Sequence, residues 1–386
     1  MQKKINILYI SELLDMGGGE RNLLSIVEKL DKHKFQPLVL CPRSGPLVRE
    51  LEKRNIKFFI QPFGIAKKFL GFFPIVSLIT IIRFGKLMFR EKIGLVHANC
   101  FSGVVFASIP AKLMGIPLVW SVHGWTSGAG VQGLLINFFV ERILVVSNAV
   151  RRFLCQSGLI LDDKVRTIFL GVDFKVFQDT QKSDIIRQEF AINKDIPLIG
   201  MIGRLQAVKG HYYFLQAAQE IKKEFPQAKF LLVGARLFNR KSDEGYPQEI
   251  AKWIKEMGLE KDCICTGFRN DIPEILSALN MLVLPSLSES FGLILVEAMA
   301  AGVPVIATYS GGPEDIVEPG ICGLLVAPKD SSALSKAALS ILKNPEKARE
   351  MVSSAKKRAQ EIFSLDTQVN KIEAVYNQLI HLKVKE

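Results

Sequence analysis

Residues 281–307 read MLVLPSLSESFGLILVEAMAAGVPVIA. An apolar run, MLVLP (281–285), enters a polar loop carrying Glu289 and Ser290. A helical pattern starts near Phe291, stops at Gly302, and a second apolar run, VPVIA (303–307), follows. A strand, loop, helix and strand in so short a span form a βαβ unit. Neither run alternates polar with apolar side chains, which is the mark of parallel strands covered by helices on both faces.

The same alternation extends in both directions. Upstream, INILYIS (5–11), PLVLC (37–41), IKFFI (56–60), GLVHA (94–98), PLVWSV (117–122), ILVVS (143–147) and VRTIF (165–169) form one series. PLIGMI (197–202), AKFLLVG (228–234), DCICTG (262–267), the two runs quoted above and CGLLV (322–326) form a second. Helical spacing separates them, as in Glu20–Leu30 and His211–Glu224. Two such series predict an α/β protein of two doubly wound, Rossmann-like domains facing a cleft. The polar stretch 176–195 reads as the linker, giving a first domain over 1–175 and a second over 196–361. Open α/β sheets bind ligands beyond the carboxyl ends of their strands, so function is sought in the strand-to-helix loops.

With 48% hydrophobic and 23% charged residues, the chain is no disordered polymer. Its net charge of +12 is uneven: residues 1–175 hold all of it, and 176–386 are neutral overall. The first domain should therefore attract anions. The stretch 65–92 combines Phe and Ile with Lys67, Lys68, Arg83, Lys86, Arg90 and Lys92, a mixture suited to an anionic bilayer surface. Its longest uncharged segment, Phe69–Ile82, is too short to span a membrane. The opening MQKKINILYISEL runs straight into a strand pattern, so a cytoplasmic protein, peripheral on the inner face of the cell membrane, is expected. The six cysteines lack metal or disulfide spacing and read as reduced core thiols.

Four loops carry chemistry. In the first, the helix amides of Phe291, Gly292 and Leu293 have no intrahelical acceptor and point toward whatever lies beyond the strand. Glu289 stands at that mouth, and Glu297 follows inside an apolar sequence where an unpaired carboxylate would be costly. A carboxylate of this kind can grip vicinal sugar hydroxyls. The second loop, Gly203-Arg204-Leu-Gln-Ala-Val-Lys209-Gly210, supplies a forked cation and a point-charge cation for a diphosphate. In the third, Gly17-Gly18-Gly19-Glu20-Arg21, glycines permit close approach of a ligand to the backbone. The fourth is His123 in WSVHGW, at a strand end, with His97 in the equivalent place on the preceding strand. There is no D-x-D and no metal-ligand spacing, so no metal cofactor is expected.

With these motifs, the chain resembles the family-4 retaining glycosyltransferases of GT-B fold over nearly its full length. Glu289 and Glu297 look like that family's E-x7-E pair, Ser310–Val317 like its continuation, Gly203-Arg204…Lys209-Gly210 like its G-R…K-G, and Gly17-Gly18…Glu20-Arg21 like its G-G-x-E-R. The resemblance implies transfer of a sugar from a nucleotide diphosphate sugar to a glycan or lipid-linked acceptor, with retention and without a metal. It implies that Arg204 and Lys209 neutralise the diphosphate, and that Glu297 binds ribose. Glu289 with the Phe291–Leu293 amides would hold the sugar, His123 would sit near the reacting carbon, and Gly17-Gly18 near the phosphates. It also implies a final helix, 362–386, crossing back to the first domain. Two departures stand out: His97-Ala-Asn99 where the family often has H-x-H, and Leu170-Gly-Val-Asp173 where it often has N-G-V-D.

A nicotinamide-dependent dehydrogenase would need the absent glycine fingerprint. A sugar-nucleotide epimerase shares the fold and would consume donor without an acceptor. A nucleic-acid-binding protein would account for the charge, but no recognition motif accompanies it, and no nucleic-acid partner is expected.

Overall fold

The computed structural model describes residues 4–12, 17–63, 73–126, 128, 130–177, 183–236 and 244–384. Lys67 and Lys68 lie outside them. All thirteen apolar runs contain strands. In the first unit these are β1 (Ile5–Ile10), β2 (Phe35–Cys41), β3 (Phe58–Ile60), β4 (Ile93–Ala98), β5 (Leu118–Val122), β6 (Arg142–Val145) and β7 (Val165–Thr167). They form a parallel sheet of order β3-β2-β1-β4-β5-β6-β7. The second unit holds β8 (Leu198–Ile202), β9 (Lys229–Val233), β10 (Cys263–Gly267), β11 (Met281–Leu284), β12 (Val305–Thr308) and β13 (Leu324–Val326). Their order is β10-β9-β8-β11-β12-β13, again parallel. Each unit is doubly wound, and each sheet reverses its strand order once, at β1/β4 and at β8/β11. Loops leaving those neighbouring strands diverge and open a crevice.

The first unit comprises residues 1–169 and 365–386, the second 170–364. The stretch read as a linker is therefore part of the second unit. Its helix Ser183–Glu189 is fastened by buried Arg187, whose guanidinium donates to the carbonyls of Ala278 (3.1 Å), Asn193 (3.0 Å) and Ile196 (3.0 Å) and to Asn280 Oδ1 (2.7 Å). Polar composition hid this segment, because its anchor is itself a charged side chain.

The helix Leu365–Val384 packs within the first unit. Val369, Ile372 and Tyr376 join Leu23, Val27 and Phe35 in one buried cluster, which covers the face of the sheet carrying Ile7 and Tyr9. Apolar burial of this kind is worth about 25 cal/mol per Å² and ties the two ends of the chain together. At its centre Tyr376 Oη lies 2.9 Å from Tyr9 Oη and also meets His97 Nδ1, while His97 Nε2 lies 2.6 Å from Ser121 Oγ. His97 is thus a satisfied core residue, and burial pushes its pKa down to about 3.

Candidate functional site

In the second unit, the loops after β8 and β11 flank the point where strand order reverses. The β8 loop continues through Gly203 and Arg204, turns as a short 3-10 segment at Ala207–Lys209, and enters the helix His211–Glu224 at Gly210. The β11 loop carries Glu289 and enters the helix Leu293–Ala301 at Gly292. Neither helix has a side-chain cap at its N-terminus. Their first amides therefore keep the positive end of the helix dipole facing the crevice.

The two loops are joined. Leu287 N donates to Val208 O over 2.7 Å, and Lys209 Nζ lies 2.5 Å from Glu289 Oε2. Ser286 Oγ donates to the same carboxylate oxygen over 3.2 Å. The β12 loop locks this arrangement from the other side. Glu289 N donates to Ser310 O, and Gly312 N to Glu289 O, each over 2.8 Å. Gly312 must be glycine: a Cβ there would lie 2.2 Å from Phe291 Cα. Gly292 adopts φ +98°, a left-handed turn that favours glycine and sets the start of the helix at Leu293. The loop 289–292 is a rigid strap, and its geometry serves the Glu289 carboxylate.

The two glutamates differ in setting from the sequence expectation. Glu289 is buried and paired, whereas Glu297, one turn inside the helix, is only half-buried. The helix begins at Leu293, two residues after the expected start, so the E-x7-E pair spans a loop and a helix as expected, with Glu297 one turn rather than two turns in. Arg204 is half-buried at the start of the β8 loop, and Leu205 N ties that loop to Ala235 O over 3.2 Å. His211, which the sequence reading passed over, is buried at the first position of its helix with Nδ1 3.3 Å from Tyr246 Oη. Burial, with the Lys209 cation nearby, pushes its pKa down to about 4.

In the first unit, the loops after β1, β4 and β5 meet at the reversal point of that sheet. Gly17 caps the helix Gly18–Lys29 without a side-chain hydrogen bond. A Cβ on Gly19 would lie 3.9 Å from the His123 ring and 4.0 Å from Asn99 Nδ2. His123 Nε2 is 2.6 Å from Asn99 Oδ1. Because an amide oxygen only accepts, this contact places the ring proton on Nε2 and leaves Nδ1 as a bare lone pair. That Nδ1 is buried with no hydrogen-bond partner among the described residues. Desolvation holds His123 neutral, with its pKa pushed down to about 4. The residue that departs from the H-x-H pattern, Asn99, is therefore the one that orients His123. The sequence marked Asn99 only as a departure from that pattern, one residue beyond a strand end, and gave no sign of its partner.

The sequence-predicted residues fall into two constellations, one in each unit. Arg204, Lys209, Glu289, Phe291, Gly292, Leu293 and Glu297 surround the β8/β11 reversal, and Gly17, Gly18 and His123 surround the β1/β4 reversal. Among the described residues, no group of three His, Cys, Asp or Glu side chains has the geometry to hold a metal ion.

Residues 182–358 match the family model described as Glycosyl transferases group 1, and residues 16–176 match that described as Glycosyltransferase Family 4. The UDP-Gal:alpha-D-GlcNAc-diphosphoundecaprenol alpha-1,3-galactosyltransferase of Escherichia coli is 27% identical over 396 aligned positions, covering 98% of each chain. The N-acetyl-alpha-D-glucosaminyl L-malate synthase of Bacillus anthracis is 25% identical, covering 80% of this chain and 81% of its own length. Among solved structures, Anabaena Alr3699/HepE in complex with UDP is 25% identical, with a TM-score of 0.83 over 97% of this chain and 100% of its own. A glycosyltransferase from Rickettsia africae ESF-5 shares the fold at 21% identity, with a TM-score of 0.88 over 98% of this chain and 99% of its own.

Proposed function

The chain belongs to glycosyltransferase family 4 and has the GT-B type of architecture, and we propose that it moves a hexosyl group, with retained anomeric configuration, from a nucleotide diphosphate sugar to a lipid-linked or cell-surface polysaccharide or lipopolysaccharide acceptor. The observation that carries this reading is the Lys209–Glu289 pair, held by two loops at the β8/β11 reversal beside two helix N-termini. A departing diphosphate needs cations, and a sugar needs a fixed carboxylate; this unit carries Arg204 and Lys209 on the β8 loop and Glu289 on the neighbouring β11 loop.

In this proposal Arg204 and Lys209 neutralise the diphosphate, and no metal ion is required. Glu297 takes the ribose hydroxyls, and Glu289 with the Phe291–Leu293 amides takes the donor sugar. The first unit contributes His123 and the Gly17-Gly18 amides. The acceptor hydroxyl attacks the anomeric carbon on the face that the diphosphate leaves. The carbon–oxygen bond to the phosphate breaks as the new glycosidic bond forms, and the acceptor proton passes to a diphosphate oxygen. A neutral His123 suits this site, because it adds no charge that would have to be moved.

Two relatives support a uridine nucleotide: the E. coli enzyme is named for UDP-Gal, and the Anabaena protein was solved with UDP. The name of the E. coli enzyme includes a diphosphoundecaprenol acceptor, which favours a lipid-linked acceptor here, and with such an acceptor the proposed location is peripheral, on the inner face of the cell membrane. Incubating the purified chain with UDP-, GDP- and ADP-sugars in the absence of acceptor tests the donor half. Slow release of one nucleoside diphosphate is expected. Interconversion of the sugar without release supports the epimerase reading, and no reaction with any donor contradicts both.

A further inference from the structure

The first unit carries a three-helix surface that holds none of the residues assigned to the transfer reaction above. Helices Phe73–Arg90, Phe101–Leu113 and Gly130–Phe139 lie side by side. A Cβ on Gly85 would sit 3.3 Å from Pro110 Cβ, and Lys112 Nζ lies 5.2 Å from the centre of the Phe138 ring. On the first helix Thr80, Phe84, Leu87 and Met88 are buried, while Leu78, Ile82 and Phe89 share the opposite, exposed face. Phe89 is 78% exposed, Leu113 83% and Phe138 62%, and it is their grouping on neighbouring helices, rather than the exposure of any one, that marks the surface.

The charged side chains on the three helices themselves are all cations, and Lys112 at the end of the second helix lies 4.0 Å from the Glu141 carboxylate that follows the third. The three helices contain no Asp or Glu. Arg83, Lys86 and Arg90, with Gln61 and Leu87, line a cleft of about 440 Å³. Arg90 reaches Glu91 over 3.0 Å, but among the described residues neither Arg83 nor Lys86 is ion-paired. None of the helices is long and apolar enough to cross a membrane.

We propose that this three-helix face docks on a bilayer rich in anionic lipid, with Phe89, Leu113 and Phe138 inserted at the level of the headgroups and Arg83 and Lys86 on lipid phosphates. It deepens the membrane location proposed above and rests on that part of the reading alone. A bilayer fits better than a second copy of the chain. A two-fold interface would set this face against itself, and the three helices offer no carboxylates to meet Arg83 and Lys86. Apolar side chains beside unpaired cations are the layout of interfacial, non-spanning membrane proteins.

The test is co-sedimentation of the full chain, without substrates, with phosphatidylcholine vesicles and with vesicles containing phosphatidylglycerol. Wild type should bind the second kind more tightly, with binding weakened but not abolished by salt. The variant Phe89→Gln/Leu113→Gln/Phe138→Gln should bind at least about tenfold more weakly to both. Arg83→Gln/Lys86→Gln should lose the preference for phosphatidylglycerol, about fivefold per charge. All five side chains are exposed, so unfolding midpoints and donor hydrolysis should match wild type. The proposal is overturned if wild type ignores both vesicles, or if the variants bind as wild type does. It is also overturned if light scattering shows a dimer that the triple variant dissolves while vesicles go unbound. Donor hydrolysis reads the transferase assignment separately.

Discussion

Lys209 Nζ lies 2.5 Å from Glu289 Oε2, with the two side chains 13% and 11% exposed, on loops that leave adjacent strands eighty residues apart in sequence. An ion pair so nearly out of water is held by its geometry, and removing one partner strands the other.

Lys209→Met should therefore act twice. Turnover should fall about 100- to 1,000-fold, because a positioned charge on the departing diphosphate is lost. The fold should lose about 2–3 kcal/mol, because Glu289 is left nearly buried without its cation. Lys209→Met/Glu289→Gln should recover much of that stability and none of the activity. Urea denaturation beside donor hydrolysis separates the two effects, and full recovery of activity in the double variant would show the pair to be structural only.

Gly312→Ala tests the strap. The new Cβ would collide with the Phe291 backbone, so donor affinity should drop by at least about tenfold and stability by about 2 kcal/mol or more. Gly245→Ala is the control, since among the described residues nothing lies within 4 Å of its added Cβ and its φ is −90°. Equal behaviour of the two variants in thermal melts would show that the β12 loop does not clamp Phe291.

The buried tyrosines make different predictions although they touch each other. Tyr376→Phe deprives both Tyr9 Oη and His97 Nδ1 of a partner and should cost about 1–3 kcal/mol. Tyr9→Phe leaves the Tyr376–His97 contact in place and should cost less. Chemical denaturation ranks them, and the reverse order would contradict the described network.

Three histidines govern the acid side of stability. Burial holds His97 at about 3 and His123 and His211 at about 4, all below the unfolded value near 6.5. Between those values each of these histidines binds more protons in the unfolded chain than in the folded one, so their contribution to stability is complete above about pH 7 and is lost as the pH drops from 6.5 toward 4. Each group contributes up to about 1.4 kcal/mol per pH unit. Urea midpoints at neutral and mildly acidic pH should show this slope, and His211→Gln should make it shallower. A midpoint that rises on acidification would contradict the buried, neutral assignment.

Much of this was legible in the sequence because parallel strands announce themselves as apolar runs, and the residues singled out in their loops do converge at the two reversal points. What stayed hidden depended on long-range partners. Segment 176–195 looked like a linker because its anchor, Arg187, is buried through carbonyls that only the fold brings near. Glu297 stands among apolar residues in sequence yet is half-buried, and Glu289 is the enclosed carboxylate because Lys209, far off in sequence, and Ser286, near in sequence, close on it in the fold. Asn99 looked like a missing histidine and is the residue that orients His123.

Isothermal titration of UDP into the chain, in the presence of a chelator, tests the central claim most directly. The account predicts saturable binding that Arg204→Ala and Lys209→Ala each weaken at least about tenfold. No detectable binding of UDP or of any other nucleoside diphosphate, or affinities unchanged in both variants, would contradict it.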